Sequence, residues 1–158
     1  ICDKATGKAV SGIAPRVAEI HAAIYQNSDV TFIEQHAAPD VLAPSRAGED
    51  MHPHLDDFAQ IAGTKVFCKN WEKTSYRTDA REIGEAMKKA NAVLVKGQGA
   101  LCSGKSLFDV EGVKKVLEKE CRAEMYCKLT VNYTPLSPID THIMRLISNL
   151  KYSKQANK

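Results

Sequence analysis

The sequence predicts one α/β domain, a mixed central β-sheet flanked by helices, and three observations carry that expectation. Ala92–Val95 is an apolar run bounded by Gly97 and Gly99, which suits a buried strand. Ala100-Leu101-Cys102 is a second short apolar run just past that glycine turn, so the stretch reads strand, turn, strand. Beyond Ser106, the residues Val110, Val113, Leu117, Cys121, Met125 and Leu129 recur every three or four positions with charges between them, the stripe of a long amphipathic helix.

Composition narrows the classes. At 158 residues the chain is long enough for one domain with a proper core, and 44% hydrophobic with 26% charged residues is ordinary for a globular protein. A net charge of +3 is too small to imply nucleic acid or an anionic membrane as partner. No apolar stretch approaches the roughly 20 residues of a membrane span, and no signal peptide is visible. Five cysteines (Cys2, Cys68, Cys102, Cys121 and Cys127) make an odd set without a C-x-x-C pair, read as buried thiols in a reducing cytoplasm. The chain begins with Ile1, so it is read as processed or as a fragment of something longer.

Each element follows in order. Residues 1–14 suggest a short hairpin or extended segment around Gly7 and Gly12. Pro15 suits a first helical turn, and Val17, Ile20, Ala23 and Ile24 give a helix to about Gln26, with His21 on its apolar side as a hydrogen-bonded core residue. Asn27-Ser28-Asp29 breaks that helix, and Val30–Ile33 forms a strand. Glu34-Gln35-His36 then falls at its C-terminal end, where open α/β sheets place their chemistry. Pro39, Pro44, Gly48 and Pro53 mark a loop through residues 44–63, and residues 64–68 form a third strand. Trp71 is expected to pack in the core or at an interface.

Asp79-x-x-Glu82 resembles a capping box opening a helix to about Ala90, with Ile83, Met87 and Ala90 on one face. On the long helix, Lys114, Lys115, Lys119 and Lys128 mixed with Glu118, Glu120 and Glu124 read as a solvated face. A last helix runs from about Pro138 to Leu150; its stripe of Ile139, Ile143, Leu146 and Leu150 is either core or a subunit contact. His142 beside that stripe is a packed or exposed residue. Residues 151–158 form a polar, basic tail.

Two readings of the central stretch lead to different chemistry. Gly99-Ala-Leu-Cys-Ser-Gly104-Lys105-Ser106 matches G-x-x-x-x-G-K-[ST] between strand and helix, which would make a phosphate-binding loop and a nucleotide-binding protein. The second reading is a resemblance. A-V-L-V-K-G-Q-G-A-L-C-S-G-K-S with the helix ending in Glu118 to Tyr126 resembles the C-terminal half of the class II aldolase/adducin family. His21-Ala-Ala-Ile-Tyr25 followed by an apolar strand and His36 resembles that family's H-x-x-x-Y…V-V-H-x-H, with residues 55–63 adding a third block.

The resemblance implies a class II aldolase/adducin-like fold over residues 1–150 that lacks the N-terminal part of the family domain, including its early phosphate-binding loops. It implies a symmetric homo-oligomer and zinc-dependent cleavage or epimerisation of sugar phosphates. The zinc positions carried over are Glu34, His36 and Gln98, and the position of the catalytic glutamate is Val17. One histidine of three remains, a glutamine amide is a poor zinc ligand, and valine moves no proton. The expectation is therefore a degenerate zinc site: a cytoplasmic domain that has lost its lyase chemistry and serves as a binding or assembly module, with no resident cofactor.

The alternative is a metal-dependent sugar-phosphate lyase or epimerase with a rearranged zinc or other divalent site. Glu49, Asp50, His52, His54, Asp56 and Asp57 crowd within nine positions and could build one with His36. Partners on either reading are a second copy, a sugar phosphate or another protein, and neither nucleic acid nor membrane.

Overall fold

In the computed structural model, which describes residues 15–72, 76–130 and 133–156, the chain alternates helices with four short strands. In order these are α1 (Pro15–Asn27), β1 (Phe32–His36), α2 (Pro39–Ala47), α3 (Asp56–Ile61), β2 (Cys68–Lys69) and α4 (Tyr76–Met87). There follow β3 (Ala92–Val95), β4 (Gly99–Gly104), α5 (Leu107–Lys128) and α6 (Pro138–Ala156). The residues 1–14 hairpin and Cys2 lie outside the described residues.

The strands form one mixed sheet in the order β1-β4-β3-β2. β3 and β4 are the strand pair read from the sequence, joined antiparallel by the turn at Gly97 and Gly99. β4 pairs antiparallel with β1, and β3 pairs parallel with β2. Both central strands are buried along their whole length, as apolar runs without alternation require.

Side chains alternate across this sheet and divide the interior in two. Ala92, Leu94, Ala100 and Cys102 face α2, α3 and α5, packing with Val41, Phe58, Val110, Val113, Leu117 and Cys121. Val93, Val95 and Leu101 face α1 and α4, packing with Ile20, Ile24, Ile83 and Met87. Trp71 is half-buried against this second core. The stripe of α5 is thus the expected one from Val110 to Cys121; Met125 is half-buried and Leu129, which caps the helix, is 82% exposed, while Glu120 and Glu124, read from the sequence as part of a solvated face, are buried.

Several boundaries differ from the sequence expectation for physical reasons. β1 covers Phe32–His36 and not residues 30–33, because β4 offers it a full register from Phe32↔Gly104 to His36↔Ala100. Glu34, Gln35 and His36 therefore sit within the strand. The proline-marked loop contains helices α2 and α3. Pro39 occupies the first helical turn of α2, Pro44 lies inside it, and Gly48 closes it with φ 75°. The third strand shortens to Cys68–Lys69, preceded by a single bridge between Met51 and Val66. α4 begins at Tyr76, and Asp79 lies inside it, its carboxylate accepting the Glu72 N–H (2.8 Å).

α6 extends to Ala156, through most of the residues expected as a tail, and docks on α3. Among the described residues no helix is long and apolar enough to cross a membrane.

Candidate functional site

Glu34 and His36 lie two residues apart on β1, so the pleat directs both toward the sheet face that α5 covers. Their β4 neighbours Cys102 and Ala100 belong to the core on that face. Gln98 stands exposed on the β3–β4 turn, beside the end of β1. Gly99 makes that approach possible: its φ is +94°, and any Cβ there would collide with the carbonyl of His36.

Ser45, buried on α2, holds the turn. Its carbonyl accepts the Gly97 N–H (3.1 Å), and its hydroxyl accepts the Gly99 N–H (3.2 Å). The Gln35 amide donates to the Gln98 carbonyl (3.3 Å). Glu34, His36 and Gln98 are thereby gathered at one end of the sheet.

What meets Glu34 and His36 there comes from α5. The Lys114 ammonium donates to the Glu34 carboxylate at 2.9 Å and to Glu111 at 2.6 Å, and its side chain is 19% exposed. Those carboxylates, Glu111 and then Glu34, hold Lys114 well above the usual lysine range, so it stays an ammonium and offers no amine nucleophile at neutral pH. His36 Nε2 lies 2.7 Å from Glu118 Oε1, a close contact outside hydrogen-bond alignment. Glu118 also faces Arg122, which reaches Asp40 at 3.1 Å. Lys114, Glu118 and Arg122 recur at every fourth residue, one stripe of α5 laid along β1 and the start of α2. Lys114 is thus not part of a purely solvated face.

This donor set does not fit zinc. One carboxylate already holds an ammonium, the imidazole is engaged by a second carboxylate, and the third position is an exposed neutral amide. The helix carrying Val17 packs with α4 on the opposite side of the sheet, and the Val17 side chain lies outside the described residues.

The acidic and histidine-rich segment does not converge either. Glu49 pairs with Lys128, Asp50 with Lys65, and Asp57 with Lys119, while His52 and Asp56 are exposed. Among the described residues no three His, Cys, Asp or Glu side chains are placed to share a metal ion. His54 turns inward to Glu120, which is fully buried: the carboxylate accepts from the His54 N–H (2.8 Å), meets His54 Nδ1 at 2.7 Å, and accepts from the Leu55 N–H (3.1 Å). Burial pushes the Glu120 carboxyl up against the pull of those bonds.

The phosphate-loop residues have other work. Gly99–Gly104 is the buried strand β4, not a loop. A Cβ at Gly104 would come within 2.7 Å of Asp109, so this glycine admits the first turn of α5. Lys105 pairs with Asp29 in solvent at 2.7 Å, and Ser106 caps α5 in a reciprocal box with Asp109.

His21 is half-buried against the edge of Tyr25, and burial lowers its pKa. His142 is exposed, its Nδ1 2.7 Å from the Pro138 carbonyl. A shallow groove of about 390 Å³ lined by Phe67, Lys69, Arg81, Glu82, Glu85 and Lys89 lies at β2, the sheet edge opposite β1.

Sequence reasoning missed Ser45 and Arg122 and misplaced Lys114 and Glu118, both read as part of a solvated face. The four-residue spacing on α5 was the available signal, but nothing local showed which strand it would meet.

The arrangement of sheet and helices defines a class of protein, the fold shared by solved aldolase structures. An L-fuculose 1-phosphate aldolase matches with a TM-score of 0.69 at 17% identity, over 80% of this chain and 60% of that one. YgbL from Escherichia coli matches with a TM-score of 0.69 at 18% identity, over 82% and 65%. L-fuculose 1-phosphate aldolase from Glaciozyma antarctica PI12 matches with a TM-score of 0.66 at 15% identity, over 91% and 57%. The chain thus spans less than two thirds of the length of each. The sequence profile of the class II aldolase and adducin N-terminal domain matches residues 1–125, and the chain belongs to that family. No curated protein matches it significantly.

Proposed function

We propose that this chain is a class II aldolase-family domain that has lost zinc-dependent cleavage of sugar phosphates and acts as a binding or assembly module. One observation carries the reading: the Lys114 ammonium sits 2.9 Å from Glu34, at a position where the family resemblance puts a zinc ligand. A divalent cation entering there must displace a charge the protein supplies itself, and gains only a histidine already facing Glu118 in exchange. The replacement of the family glutamate by Val17 supports the same reading from the side of proton transfer. Unpaired thiols at Cys68, Cys102, Cys121 and Cys127 support a reducing, cytoplasmic setting.

A panel of sugar phosphates beginning with L-fuculose 1-phosphate, the compound named for two of the structural neighbours, tests this. Release of a triose phosphate is followed with zinc, cobalt or manganese supplied. No release above buffer is the expected result. Turnover that disappears in His36→Ala would instead favour the rearranged metal-dependent lyase.

A further inference from the structure

The groove at the β2 edge of the sheet collects positive charge that the fold does not use. Phe67 is half-buried against the core shared by α1 and α4, and the ammoniums of Lys65, Lys89 and Lys69 lie 5.0, 5.7 and 5.8 Å from its ring centroid. A ring attracts each cation, but cations gathered at one ring repel one another. Asp50 offsets Lys65 at 2.7 Å, and Glu82 offsets Lys69 loosely at 3.7 Å. Lys89 and Arg81 are exposed, and neither meets a carboxylate among the described residues. An anion seated in this groove therefore finds cations that no group of the chain competes for.

The two ends of the groove differ. At one, Lys69 reaches toward Glu82, with Arg81 next to it on α4; at the other, Lys89 stands by the Phe67 ring. Glu82 and Glu85 line the stretch between, and Glu85 is drawn partly aside by Lys88 at 2.8 Å. A guanidinium beside an ammonium suits a phosphate. Exposed carboxylates are the usual acceptors for ribose hydroxyls. A flat apolar ring with a cation at its side suits a stacked base. Phosphate, ribose and base in that order make a nucleotide, and a groove of about 390 Å³ has room for a single one.

Other occupants fit less well. An added β-strand needs the outward N–H of β2, at Cys68, and that group already donates to the Asp50 carboxylate at 2.9 Å. A long polyanion runs its charge past Glu82 and Glu85, which repel it.

We propose that this groove binds a nucleoside monophosphate, its phosphate on Arg81 and Lys69, its ribose hydroxyls on Glu82 and Glu85, and its base on Phe67 beside Lys89. The groove shares no residue with Gly99–Ser106 and lies at the sheet edge opposite Glu34 and His36. It holds whether or not the domain retains chemistry, so its test and the activity test fail independently.

Calorimetric titration of the full chain with AMP is the experiment, with ribose 5-phosphate and inorganic phosphate titrated in parallel. AMP is expected to bind saturably and more tightly than either. Arg81→Ala with Lys89→Ala changes exposed positions only, and is expected to weaken AMP by about tenfold or more. Phe67→Leu keeps an apolar side chain and is expected, with unchanged circular dichroism, to weaken AMP and leave inorganic phosphate as it was. Lys105→Ala is expected to bind AMP as the wild type does. No saturation at millimolar AMP, or an affinity no greater than that of ribose 5-phosphate or inorganic phosphate, would overturn the proposal. So would wild-type affinity in Arg81→Ala with Lys89→Ala, or loss of binding in Lys105→Ala.

Discussion

At Glu34 a carboxylate within reach of solvent is held by an ammonium that a helix on the far side of the sequence delivers. Lys114 lies 80 residues away in the chain and reaches it at 2.9 Å. Isolated surface pairs contribute little, but Lys114 is shared between two carboxylates and only 19% exposed, so it has one well-defined place.

Glu120 is the deeper anchor, tying the 53–55 segment to α5 with no solvent to replace it. Glu120→Ala leaves the His54 ring and two N–H groups without an acceptor in the interior. It is expected to cost about 3 kcal/mol of folding stability in urea titrations. A cost below about 0.5 kcal/mol would show that water takes over the role.

Among the elements, the segment leading into β2 is held by Asp50, whose carboxylate accepts the Cys68 N–H at 2.9 Å and meets Lys65 at 2.7 Å. Burial pushes the Asp50 carboxyl up, but the Lys65 and Cys68 hydrogen bonds outweigh it and leave it below its ordinary value of 3.8. The folded chain then binds this proton less readily than the unfolded one. The stabilisation is complete above 3.8 and is lost as the pH falls through the lower folded value. Asp50→Asn is expected to lower stability at neutral pH and to converge with the wild type in strong acid. Parallel curves at every pH would contradict this.

Elements with a local signature were legible in the sequence. The apolar runs gave β3 and β4, and the three-or-four spacing from Val110 to Cys121 gave the buried face of α5. Helices α2 and α3 were not, because Pro39 and Gly48 read as loop markers although here they open and close a short helix. The candidate site was half legible. Glu34, His36 and Gln98 could be named from the resemblance, whereas Lys114 and Glu118 meet them from some 80 residues away, across contacts with no local pattern.

The whole molecule is a family sheet with α6, a helix beyond the matched residues 1–125, docked on α3 beside it. The two cores and the β1-β4-β3-β2 order belong to the inherited fold. The stripe on α6 was open in the sequence between core and subunit contact, and in the structure it is not core, since each of its residues faces outward.

On the proposed reading, the Lys114 ammonium takes the place of the metal beside Glu34. Zinc content of protein purified without chelator, measured beside His36→Ala, tests it most directly. Far less than one zinc per chain in both is the expected result. One zinc per chain in the wild type, absent from a folded His36→Ala, would mean that Glu34 and His36 release Lys114 and Glu118 to bind metal, and would contradict it.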